Sequence, residues 1–155
     1  MVCRHDPLVT CLYHLIKRNL DPKPRMEQVL PQLAAMVRGQ VSQARMDIVA
    51  QDGCNRILVD IVVSSPFAGG ERFTSMCARR DGYAARRAAA AKKSKYDSPD
   101  LLPFSVETGG RLGMDARSLI KKLAEAADDP HAEAAYLHRA ISSTLQDGIA
   151  KQLCQ

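Results

Sequence analysis

The segment Arg45-Met46-Asp47-Ile48-Val49-Ala50-Gln51-Asp52-Gly53-Cys54-Asn55-Arg56-Ile57-Leu58-Val59-Asp60-Ile61-Val62-Val63 decides how this chain folds. Two β-branched, apolar runs flank Asp52-Gly53, and Asp-Gly between such runs is a strong short-range hairpin signal. With Asp52 and Gly53 as the two turn residues, Gln51 pairs with Cys54. Asp47 then lies opposite Leu58, and Asp60 opposite Arg45. Side chains alternate faces along a strand, so Asp47 and Asp60 fall on the same side. In that register they are diagonal neighbours, with Cα atoms roughly 7–8 Å apart.

Two acids in apolar surroundings repel each other. One must take up a proton, or the pair must hold a cation. A hard divalent ion such as Mg²⁺, commonly bound by one or two carboxylates together with water and phosphate oxygens, meets that demand. The plainer reading makes both acids solvent-facing residues of a half-exposed sheet. Arg45, across from Asp60, would then neutralise it and make the pair structural. Spacing alone leaves both readings open.

Upstream, Asp6 to Leu20 has Leu8, Cys11, Leu12, Leu15 and Ile16 at helical spacing, and Pro22 and Pro24 stop the helix. Arg25 to Leu33 alternates like a strand but has a composition that also permits a helix. Gly39 to Ala44 is polar and reads as a loop. Downstream, Arg72 to about Tyr96 is rich in Ala, Arg and Lys, which favours one long helix despite Gly82. Leu101 to Thr108 reads as a further strand. A helix from about Asp115 to Ala127 follows, with Leu119, Ile120, Leu123 and Ala127 inward. Asp129-Pro130 supplies an N-cap and a first-turn proline for a last helix carrying Leu137, Ile141, Leu145, Ile149 and Leu153. The expected class is α/β (α+β), a small mixed sheet flanked by helices with two extra helices at the C-terminal end.

The 155 residues have the length of one domain, 1–155, with 46% hydrophobic and 25% charged residues. There is no apolar run of about 18 residues and no leader-like apolar stretch after Met1, which predicts no membrane span and a reducing, intracellular setting. The five cysteines (Cys3, Cys11, Cys54, Cys77 and Cys154) are scattered and odd in number, unlike a disulfide framework. Cys11 with His14, and Cys3 with His5, lack the second pair that a zinc site needs.

The formal net charge is +5, and its placement is uneven. Arg79, Arg80, Arg86, Arg87, Lys92, Lys93 and Lys95 lie in one stretch against the single acid Asp81. Such a stretch suits a phosphate backbone as well as it suits a solvated helix face. With three Phe, four Tyr and no Trp, a base-stacking platform for single strands finds little support in composition. Lys92 and Tyr96, four apart, share one helix face.

Together these pieces resemble the restriction-like endonuclease domain of site-specific non-LTR retrotransposons, within the PD-(D/E)XK nuclease superfamily. The residues that carry the resemblance are Arg4-His5-Asp6 at the head of the first helix and Arg45-Met46-Asp47, thirteen residues before Asp60. They continue with Lys92-Lys93-Ser94-Lys95-Tyr96, Val106-Glu107-Thr108-Gly109-Gly110 and Gln146-Asp147-Gly148-Ile149-Ala150. The resemblance implies a core of helix, three strands, helix and strand, so that Arg25 to Leu33 becomes a strand. It implies Asp47 and Asp60 as ligands of Mg²⁺ or Mn²⁺, with Lys92 and Tyr96 as auxiliary catalytic residues and Lys95 as the alternative lysine. Met46 stands where the motif's name has proline, and Val62 where many relatives carry lysine.

The implied function is target-site nicking of DNA in the nucleus, beside a reverse transcriptase or larger element-encoded protein. No reverse transcriptase precedes Arg4-His5-Asp6 in this sequence, so an excised domain and a free-standing relative are both expected possibilities. Arg79, Arg86, Arg87, Lys93 and Lys95 are the expected DNA contacts, and a homodimer would serve the cutting of two strands. The alternative is a catalytically inactive nucleic-acid-binding or assembly module that keeps the nuclease fold. His5 is expected at the surface or as a cap. Glu107 is expected either to reach the site or to bond backbone groups.

Overall fold

In this computed structural model, which describes residues 5–37 and 40–153, the hairpin at the centre turns on Gly53 and Cys54. Asp52 pairs with Asn55, Gln51 with Arg56, Ala50 with Ile57, Val49 with Leu58 and Ile48 with Val59. Gly53 has φ +59°, while Cys54 keeps a negative φ. A left-handed residue at the first central position only is the glycine-first pattern of a type II′ turn. The Asp52-Gly53 turn expected from sequence is therefore corrected by one residue. Every partner on the second strand moves by two, and a two-residue shift preserves which face each side chain occupies.

The elements are α1 (His5–Asn19), β1 (Arg25–Val37), β2 (Gln40–Asp52), β3 (Asn55–Ser64), α2 (Glu71–Arg79), α3 (Tyr83–Lys95), β4 (Leu101–Glu107), α4 (Met114–Glu125) and α5 (Pro130–Leu153). They build a mixed α/β architecture around a four-stranded sheet of order β1-β2-β3-β4. The first three strands are antiparallel, and β4 runs parallel to β3 through a crossover that contains α2 and α3. The helix-or-strand ambiguity of Arg25 to Leu33 resolves as β1. Residues 40–44, expected as loop, begin β2 instead, because β1 offers them ladder partners. Gly39 lies outside the described residues, as do Cys3, Arg4 and Cys154.

The single helix expected from Arg72 to Tyr96 is two. Gly82 adopts φ +65°, a left-handed conformation that ends one run and starts the next. Gly82 carries no side-chain cap, and Glu107 at the end of β4 fills that gap. Its Oε1 accepts the N–H of Ala85 at 3.2 Å in the first turn of α3. Of the two roles open to Glu107, the structure assigns it the backbone one.

Both faces of the sheet are covered. On one, Ile48, Ala50, Val59, Ile61, Phe104 and Val106 pack under α1, α4 and α5, whose inner residues include Leu8, Leu12, Ile16, Leu119, Ile120, Leu123, Leu137, Ile141 and Leu145. Ala124 rather than Ala127 completes the inner face of α4. Asp129 caps α5 as expected, its Oδ1 accepting the N–H groups of His131 and Ala132 at 3.1 and 3.0 Å. A second cluster joins Ala44, Met46, Val49, Leu58, Leu101 and Tyr96 at the end of α3. Buried Ala84, Ala85 and Ala89 let α3 approach the sheet closely on this side. Among the described residues no helix is long and apolar enough to cross a membrane. Cys11, Cys54 and Cys77 are free thiols.

Candidate active site

The ladder between β2 and β3 ends at Ile48 and Val59. Beyond that point β2 stays with β1 as far as Val37 and Gln40, while β3 stays with β4 as far as Ser64 and Glu107. The sheet forks there. Asp47 and Asp60 are the residues of β2 and β3 immediately past that last pair. Splaying strands leaves main-chain donors without ladder acceptors, and a buried N–H must find another partner. Asp47 provides it: its Oδ2 accepts the N–H of Ile61 at 2.6 Å.

Both acids are largely withdrawn from water, with side-chain exposures of 16% for Asp47 and 6% for Asp60. Lys92 reaches them from the last turn of α3. Its Nζ donates to Asp60 Oδ1 at 2.9 Å and lies 2.8 Å from Oδ2. Asp60 Oδ2 is buried, with the Lys92 ammonium as its ion-pair partner.

His5 completes the cluster. From the head of α1 its Nε2 donates to Asp47 Oδ2 at 3.1 Å, and its Nδ1 lies 3.2 Å from Asp6 Oδ1. The expectation of a surface or capping role is corrected here. Arg4-His5-Asp6 carried the resemblance in the sequence but assigned His5 no contact with the sheet.

The two carboxyls are held at different proton affinities. Burial pushes Asp47 up, but the His5 hydrogen bond, the Ile61 N–H and the nearby positive charges of His5 and Lys92 outweigh it, leaving the group below its ordinary value. Burial likewise pushes Asp60 up. Lys92 opposes that shift, the negative charge of Asp47 and its hydrogen bond reinforce it, and Asp60 ends above its ordinary value. Asp47 is the first of the pair to ionise, and Asp60 keeps a proton longest.

The other candidate residues distribute as follows. Arg45 turns outward and pairs with Glu27 at 2.6 Å, so it does not neutralise Asp60. Tyr96 is the C-cap of α3 and is 6% exposed in the second cluster. No hydrogen bond from its hydroxyl to either acid is present among the described residues. Lys95 places its Nζ 4.7 Å from the Tyr96 ring centroid, and Lys93 pairs with Asp115 of α4 at 2.9 Å. Of the three lysines, Lys92 alone meets the acids. Arg79 and Arg86 are exposed, and Arg87 stacks over Phe73 at 5.3 Å. Arg86 and Arg87 line a concavity of about 740 Å³ with Arg80, Asp81 and Tyr83 at the α2–α3 elbow.

The donor set fits a divalent cation in part. Two carboxylates suit a hard ion, although the Lys92 ammonium is seated on Asp60 in this arrangement. Among the described residues no group of three or more His, Cys, Asp or Glu is gathered as a metal shell. The protein would supply two ligands, and water and phosphate oxygens the rest, which is a common way to hold Mg²⁺. Comparison of the chain with protein-family models, with curated proteins and with solved structures finds no match.

Proposed function

We propose that this chain is a metal-dependent DNA endonuclease that hydrolyses phosphodiesters at Asp47 and Asp60, in the manner of the restriction-like domain its sequence resembles. The observation that carries the reading is the juxtaposition of Asp47, Asp60 and Lys92 from three separate elements at the fork of the sheet. Two carboxyls whose proton affinities are shifted in opposite directions, gathered in one place, are characteristic of catalytic sites. Mg²⁺ or Mn²⁺, when bound, supplies Lewis-acid polarisation of the phosphate and an activated water.

The chain's own residues do the rest. Asp47 and Asp60 are the metal-ligand pair, Asp47 being ionised and oriented by His5 and the Ile61 N–H. Lys92 leaves Asp60 for a phosphate oxygen and offsets the negative charge that grows there in the transition state. The basic surface of α2 and α3, Arg79, Arg86 and Arg87 included, holds the strand. Partners in this reading are DNA, a reverse transcriptase or larger element-encoded protein, and a second copy where both strands are cut; the setting is the nucleus.

One observation favours a second reading. Lys92 already neutralises Asp60, as it would in a module that binds DNA without cutting it. Metal-titrated nicking of supercoiled plasmid separates the two. Cutting that needs Mg²⁺ or Mn²⁺ and disappears in Asp60→Asn supports the nuclease. Salt-sensitive binding without cutting at any metal concentration leaves the binder.

A further inference from the structure

The three phenylalanines have different surroundings. Phe104 is fully buried, Phe73 packs against Tyr83 and under Arg87, and Phe67 is 78% exposed. Phe67 lies in the loop from β3 to α2, where Ser65 Oγ accepts its N–H at 3.2 Å and holds the backbone. Ser65 and Gly69 of this loop form one wall of a groove of about 540 Å³. The opposite wall is Ala84, Ala88, Ala91 and Arg87 of α3. Arg87 also lines the concavity at the elbow with Arg80 and Arg86. An exposed ring therefore stands on a loop that walls a smooth groove leading into a concentration of guanidinium groups. Lys92 follows Ala91 of the groove wall along α3, while Lys92 and the acid pair lie outside the groove lining.

We infer that this groove holds unpaired nucleotides, with phosphates on Arg80, Arg86 and Arg87 and one base stacked on Phe67. The inference rests on the nuclease reading for its substrate and narrows that substrate to single-stranded, frayed or branched DNA. Charge complementarity selects a polyanion. The alanine wall lacks side chains long enough to read base edges, which is how duplex sequence is recognised. A ring offers its face only to a base that has left its own stack, and stacking of this kind is indifferent to sequence. Composition gives little support to a platform for several bases. Phe73 lines the groove but is held against Tyr83 and under Arg87, which leaves Phe67, on the loop beside the groove, as the exposed phenylalanine ring.

The chain has no tryptophan, so Phe67→Trp installs a single fluorophore at this point. Titrating that variant with oligothymidylate in EDTA should quench its emission saturably, whereas a blunt duplex of equal length should not. In parallel, Phe67→Ala should weaken single-strand binding roughly tenfold by fluorescence anisotropy of a labelled oligonucleotide, in line with base–aromatic stacking. Its duplex binding and melting temperature should be unchanged, since the ring has little to pack against. Quenching by duplex as strong as by single strand, wild-type affinity of Phe67→Ala for oligothymidylate, or loss of self-association in that variant with DNA binding intact would each overturn the inference. The last outcome assigns the ring to a protein contact. Because no metal is present, failure of the nuclease reading, seen as undiminished nicking by Asp60→Asn, is a separate result.

Discussion

Asp47 Oδ2 and the main-chain N–H of Ile61 meet at 2.6 Å across the gap where β2 and β3 cease to pair. The same oxygen also receives His5 Nε2. A carboxylate here both closes the ladder at the fork and presents charge to its neighbour, so substitutions must separate the two roles.

Asp47→Asn keeps an oxygen for Ile61 and removes the charge. Asp47→Ala removes both and strands a buried N–H, at a cost of about 1–3 kcal/mol. We expect the alanine variant to melt measurably below the asparagine variant. Both should lose metal-dependent nicking by at least roughly a hundredfold, the upper range for a group one shell further from a metal. Nicking assays beside thermal melts check this, and near-wild-type nicking by Asp47→Asn would remove Asp47 from the chemistry.

The pH dependence of stability follows from the opposed shifts. Asp60 is held above its ordinary value, by burial first and by Asp47 in addition. Its contribution is therefore fully present below the ordinary carboxylate value and is lost as pH rises through the raised one, so its ionised form costs stability at neutral pH. Asp47, held low, contributes above the ordinary range and loses that contribution as pH falls through its lowered value. In EDTA at pH 7, Asp60→Asn should melt higher than wild type, and the difference should vanish toward acid pH. Calorimetry across pH reads it; an equal or lower melting temperature at pH 7 contradicts the assignment.

Lys92→Met should reduce nicking by about 10²–10³-fold, the range for removing one charge-stabilising donor. Lys93→Met and Lys95→Met should stay within a few-fold of wild type, because those ammonium groups are held at Asp115 and over the Tyr96 ring. Single-turnover rates at saturating metal distinguish the three, and equal losses across them would mean that the lysines act only through DNA affinity.

Gly82→Ala tests the break between α2 and α3. The nearest atoms to an added Cβ belong to Arg111 at 3.6 Å, ordinary contact, so the effect comes from the left-handed φ rather than from collision. At about 1–2 kcal/mol for that conformation, the melting temperature should fall by roughly 2–8 °C. No change would indicate that the elbow relaxes into the continuous helix that composition favours.

That helix shows where the sequence stopped being informative. Local propensity over Arg72 to Tyr96 is dominated by Ala, Arg and Lys, and one glycine weighs little in such a sum. The break instead follows from the left-handed φ of Gly82, with the first turn of α3 held by Glu107 at the end of β4, a partner distant in sequence. The hairpin was readable because its alternation and its glycine are local. Its register was off by two because Asp-Gly and Gly-Cys are both acceptable turn pairs, yet Asp47 and Asp60 kept their common face since the offset was even. Lys92 was legible as a basic residue on a helix, but its choice over Lys93 and Lys95 depends on how α3 rolls onto β3 and β4. His5 depended on where α1 begins relative to the fork, which no pattern within α1 encodes.

The ion pair between Lys92 and Asp60 has a consequence for how anything else enters. With the ammonium already seated, a divalent cation of the kind the proposal requires would arrive by exchange and not by simple addition, and the energy of the exchange would depend on where the displaced ammonium settles. A phosphate oxygen is the strongest nearby destination. On the nuclease reading, metal and nucleic acid would be linked ligands, each improving the affinity of the other by the same factor.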